Sequence, residues 1–133
     1  PILSLAALDS ALQLFNGVSS HELREKSATL AECFLDLKKQ RAELNALTLV
    51  SPAHPGQRGA QLCFSHPKAY WICQALLEKG LFADFRNPDI LRLGFSPLFL
   101  SYSQLLDSVE ILGEVMREKS YENHKFGQKN KVT

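Results

Sequence analysis

The sequence predicts an α+β domain in which helices cover a small antiparallel or mixed sheet of about four short strands. Apolar residues recur at three- and four-residue steps in several stretches, the mark of amphipathic helices. Between those stretches lie short β-prone runs bounded by Pro, Gly, Asn and Asp. The chain has 133 residues, 45% hydrophobic and 22% charged, which fits one ordinary globular domain.

From Ser4 to Asn16, Leu5, Leu8, Leu12 and Phe15 fall on one helical stripe, and Gly17 ends that helix. Ser19 with Glu22 forms a capping-box pattern that starts the longest helix. Leu23, Ser27, Leu30, Phe34, Leu37, Arg41 and Leu44 carry it, amphipathic to about Ala42. The period then changes: Leu47 to Val50 reads as a strand, AHPGQRG as a loop, and Ala60 to Ser65 as a second strand.

His66-Pro67 leads into a helix bearing Ala69, Ile72, Cys73 and Leu76, which Gly80 closes. Phe82 to Arg86 is the third strand, Asn87-Pro88-Asp89 a tight turn, and Ile90 to Phe95 the fourth strand. Ser101 with Gln104 caps a final helix along Leu105, Val109, Leu112 and Met116 to about Lys119. Residues 1–120 are expected as one small domain and residues 121–133 as a loosely held tail.

Fifteen Lys and Arg against fourteen Asp and Glu leave a formal charge of +1, which gives no footprint for nucleic acid. No apolar run approaches the roughly 20 residues that span a bilayer. Cys33, Cys63 and Cys73 form an odd set with no CxxC pair and read as small buried hydrophobes, which predicts a reducing, cytoplasmic location. The chain opens at Pro1 in the apolar stretch PILSLAAL, as a fragment or a processed product would.

Arg92 stands out by spacing. Leu91, Leu93 and Phe95 share one face of the fourth strand, while Ile90, Arg92 and Gly94 share the other, so an arginine interrupts an apolar strand. It should reach solvent, pair with an internal carboxylate, or face a cleft that takes an anion. Its planar fork suits a carboxylate. Arg58, beside Gly59, reads as a solvated loop arginine, with anion binding as the alternative.

His21, His54, His66 and His124 stand at no metal-ligand spacing, and His66 reads as a helix-entry residue. Tyr70 and Trp71 lie about 100° apart on their helix and are expected to flank the core. Lys125, Lys129 and Lys131 make the tail mildly basic.

Taken in order, PILSLAALDSALQLF, LVSP, QRGAQLCFSHP and ALLEKGLFADFRNPDILRLGFSPLF resemble the C-terminal region of kynureninases over nearly the whole chain. RGAQLCFSHP and DFRNPDILRLGFSPLF are the most specific parts. The resemblance implies the small domain of a fold type I, aminotransferase class V-like enzyme that depends on pyridoxal 5′-phosphate (PLP). It implies, for the whole enzyme, hydrolysis of L-kynurenine or 3-hydroxykynurenine to anthranilate (or its hydroxy form) and L-alanine in tryptophan degradation.

In the family, the arginine of the strand before the F-S/T-P-L segment holds the substrate α-carboxylate. Arg92 matches that position, before FSPLF. The resemblance also implies a large domain that supplies the cofactor lysine, and a homodimer. Lys26, Lys38, Lys39, Lys68, Lys79, Lys119, Lys125, Lys129 and Lys131 match none of the family's cofactor-lysine context, so this chain alone is expected to be inactive. The small domain of a cysteine desulfurase or an aminotransferase, or a stand-alone α+β binding module, is the competing reading.

Overall fold

The structure is a computed structural model and describes residues 1–126. Its elements are α1 (Ile2–Leu12), α2 (Ser20–Lys39), β1 (Thr48–Leu49), β2 (Gln61–Ser65), α3 (Ala69–Glu78), β3 (Asp84–Arg86), β4 (Ile90–Gly94) and α4 (Tyr102–Glu118). The strands form one fully antiparallel sheet in the order β1-β2-β4-β3. This is the expected α+β layer, with the expected four strands.

Local chemistry sets the ends of the elements. Ser19 accepts from the Glu22 N–H at 3.1 Å while the Glu22 carboxylate accepts from the Ser19 N–H at 2.8 Å, so the capping box of α2 is complete. Ser101 and Gln104 repeat the device on α4. At the end of α3, Gly80 takes φ +81, and the Leu81 N–H reaches the Leu76 carbonyl at 2.9 Å. With the Gly80 N–H on the Leu77 carbonyl, this is a Schellman closure, which a residue with a Cβ would strain.

The core lies on one side of the sheet. Leu62, Phe64 and Leu91 are fully buried and Leu93 nearly so, while α2 brings Leu30 and Phe34, α3 brings Ile72 and Leu76, and α4 brings Leu105, Val109, Leu112 and Val115. The Phe34 ring packs at 5.8 Å from Phe64 and 5.6 Å, edge-on, from Phe95. Along β2 and β4 the alternate residues Gln61, Cys63, Ser65, Ile90, Arg92 and Gly94 are half-buried or exposed, so the helical layer covers a single face.

Several expectations are corrected. The longest helix stops at Lys39, where Arg41 turns extended and reaches Glu110 of α4, and the bend drops Leu44 and Leu47 into the core. The stripe of α1 covers nothing among the described residues: Leu5, Leu8, Leu12 and Phe15 remain 44 to 61% exposed. The helix turns away from α2 by 76° at Gly17, whose φ is +83. Cys73 is buried as expected, but Cys63 is half-buried on the uncovered face of the sheet.

Arg58 is not a solvated loop arginine. Its side chain is 3% exposed, pairs with Glu32 of α2, and donates to the Pro52 and Ala53 carbonyls at 3.1 and 2.7 Å. A flexible cation thus pins the 51–58 loop to α2. Within the expected tail, residues 121–126 lie in two short 3-10 turns, Ser120–Glu122 and His124–Phe126, that bury Tyr121 and Phe126. The rest of the tail, with Lys129 and Lys131, lies outside the described residues.

Arg58→Ala leaves those two carbonyls without their donor and should destabilise the domain by about 2–3 kcal/mol in urea unfolding. Arg58→Lys should recover only part of that loss, because an ammonium lacks the fork that spans three acceptors.

His66 holds the entry to α3 as expected. Its Nδ1 accepts from the Lys68 N–H at 3.0 Å, and its ring meets Tyr121 edge-on at 5.8 Å. Burial first, and then the charge of Lys68, hold its pKa below the usual histidine value. The unfolded chain therefore binds the proton more readily, so His66 contributes full stability above about pH 6.5 and loses it as pH falls toward the folded-state value. Thermal unfolding between pH 7.5 and 5 should show this loss, and His66→Gln should flatten the profile.

Candidate functional site

Arg92 sits at the centre of β4, with Leu91 and Leu93 on either side of it in the core. Alternation therefore sends its side chain to the uncovered face of the sheet. The register places Cys63 of β2 opposite it on one side and Asp84 of β3 opposite it on the other. These three residues form a row across the sheet. Gly94 follows on the same face, and a Cβ added there would meet nothing within 4 Å, so the space next to Arg92 is open.

Arg92 is 27% exposed, and among the described residues its hydrogen bond goes from Nη2 to Oδ2 of Asp84. The same Oδ2 lies 3.1 Å from Nη2 of Arg86, two residues further along β3. Sequence reasoning had offered solvent, an internal carboxylate or an external anion; the structure supplies the carboxylate. The pair takes only part of the guanidinium, which carries five N–H donors in a rigid fork. Nη1 and Nε remain for a second acceptor. An arginine does not exchange protons near neutral pH, so this group can bind and orient an anion but not act as acid or base.

Asp84 was missed in the sequence although the signal was there. A tight turn centred on Pro88 pairs Arg86 with Ile90 and Asp84 with Arg92 by counting outward along the hairpin. Arg58 stands apart from this site, locked to Glu32. His66 also takes no part, since it serves the β2–α3 turn.

The described lysines do not gather on the uncovered face. Lys26 donates to the Pro97 carbonyl, and Lys39, Lys68, Lys79 and Lys125 pair with Asp36, Glu122, Glu114 and Glu78 on helices and turns. Among the described residues, no three His, Cys, Asp or Glu side chains are grouped to hold a metal.

A second feature lies at the far end of β4. An apolar groove of about 500 Å³ runs between Leu81, Phe95, Leu100 and Ile111, with Phe82 and Phe99 exposed at its rim. It holds neither Arg92 nor Asp84.

Residues 23–112 match the family described as the kynureninase C-terminal domain. The chain belongs to this family. The kynureninase of Pseudomonas fluorescens is 38% identical over 133 residues, all of this chain and 32% of that protein. The kynureninase of Deinococcus radiodurans is 43% identical over 117 residues, 88% of this chain and 28% of that protein. This chain thus spans about a third of the length of the kynureninases it matches.

Among solved structures, the acetylornithine aminotransferase of Elizabethkingia anophelis is similar with a TM-score of 0.56 and 25% identity. The match covers 74% of this chain and 26% of that one. An aminotransferase thus shares the architecture, while the family match assigns the sequence to the kynureninase side of the readings left open above.

Proposed function

We propose that this chain forms the C-terminal part of a kynureninase and that Arg92 clamps the α-carboxylate of its amino-acid substrate. The observation that carries the reading is a guanidinium held at mid-strand on the uncovered sheet face, with most of its fork unused, in a chain of this family. On this reading the whole enzyme hydrolyses L-kynurenine, or 3-hydroxykynurenine, to an anthranilate and L-alanine. It is cytoplasmic and dimeric. The residues of the chain preceding the matched third supply the lysine and the environment for PLP, which provides the electron sink.

The role of Arg92 follows from its chemistry. A bidentate pair with a carboxylate fixes both the position and the rotation of the substrate about its α-carbon. That orientation selects which bond at the α-carbon and side chain is placed for reaction, and a misplacement of about 1 Å costs on the order of 100-fold in rate. The uncovered face also has to be closed over to exclude water, since the pair weakens in high dielectric. Gly94 leaves room for such a cover beside Arg92.

In the full-length enzyme, Arg92→Ala should lower kcat/KM for kynurenine by on the order of 100-fold with PLP content unchanged. Arg92→Lys should recover part of the binding and little of the orientation, because it offers a point charge in place of a fork. Unchanged steady-state kinetics in Arg92→Ala would remove Arg92 from the site.

A further inference from the structure

We propose that Asp84 is the positioning residue for Arg92, holding its guanidinium from the neighbouring strand so that the rest of the fork is fixed for the substrate carboxylate. The inference rests on the reading of Arg92 just given. It concerns a residue of β3 that does not itself touch substrate.

Asp84 and Arg92 are direct cross-strand partners in an antiparallel pair, where Cβ atoms stand about 5 Å apart. An aspartate has two side-chain torsions, so a carboxylate mounted on a paired strand is a nearly fixed acceptor. The arginine, with four torsions, is the mobile partner, and bonding Nη2 to Asp84 removes most of its freedom before substrate arrives.

Asp84 is held in turn. Nη2 of Arg86 lies 3.1 Å from the same Oδ2, so one carboxylate oxygen stands between two guanidinium groups on the open face. Two cations and one anion leave a single net positive charge, which matches one substrate carboxylate. Without the anion, Arg86 and Arg92 would repel each other across neighbouring strands and Arg92 would lose its anchor. The opposite possibility is that Asp84 merely competes with the substrate for Arg92. It predicts the reverse effect, since removing a competitor frees the arginine.

A double-variant cycle on the full-length enzyme separates these outcomes. Asp84→Asn should raise the KM for kynurenine and lower kcat/KM by about 10-fold, with PLP content and thermal midpoint unchanged. Asp84→Asn added to Arg92→Ala should cost no more than about 2-fold beyond Arg92→Ala alone, because Asp84 acts through the arginine. A 10-fold loss in both backgrounds, or a gain in kcat/KM on Asp84→Asn, overturns the proposal while leaving the Arg92 reading standing. If Arg92→Ala itself is without effect, the Arg92 reading fails, and the proposal with it. Should Asp84→Asn not fold, Asp84→Glu takes its place in the cycle: it keeps the charge, displaces it by one methylene, and should raise KM severalfold only where Arg92 is present.

Discussion

The burial of Leu91 and Leu93 governs where Arg92 can be. Both leucines lie under the helices, and the two-residue period of the strand then leaves Arg92 no choice but the opposite face. Slipping β4 by one residue would expose two leucines, at about 2 kcal/mol each, and drive a guanidinium into the hydrocarbon core. Every part of the helical layer that covers Leu91 and Leu93 therefore also fixes the site, from the opposite face of the sheet. The capping boxes at Ser19 and Ser101 and the closure at Gly80 act at this remove, by setting the ends of the helices that form the cover.

The same hairpin brings the electrostatics into register. An arginine alone at mid-strand would sample many rotamers and bind an anion at the cost of ordering itself. Opposite Asp84, it is ordered at the stage of folding, and Arg86 restores the charge that the aspartate neutralises. The arrangement resembles the one at Arg58 in its chemistry and differs in its outcome. At Arg58 the cation is enclosed and its fork is consumed by Glu32 and two carbonyls, so it serves the loop. At Arg92 part of the fork is left over.

Much of this was legible in the sequence because strong local rules and burial agree there. The alternation in ILRLGF put Arg92 on the face away from the leucines, and the two Ser-x-x-Glu/Gln patterns marked helix starts that the structure repeats. What was not legible depended on partners distant in sequence. Nothing near Arg58 announces Glu32, which is brought to it by the path of α2, and nothing near Arg41 announces Glu110. The extent of α2 was overestimated for that reason, since the heptad-like apolar spacing continues through a bend that buries Leu44 from a different element. Asp84 lay between these cases: turn counting could have paired it with Arg92, but its composition alone gives a solvated acidic residue.

The uncovered stripe of α1 and the uncovered sheet face share a physical consequence. Both leave apolar or chemically useful surface without a partner within the described residues, and the matched kynureninases are about three times as long as this chain. The central claim, that Arg92 recognises a carboxylate, is tested most directly by changing the ligand and the protein together. In the full-length enzyme, inhibition by a substrate analogue that bears the α-carboxylate would be compared with its α-carboxamide, in wild type and in Arg92→Gln. The account predicts that wild type prefers the carboxylate by roughly 10-fold or more and that Arg92→Gln loses this preference. A preference that survives in Arg92→Gln would contradict it.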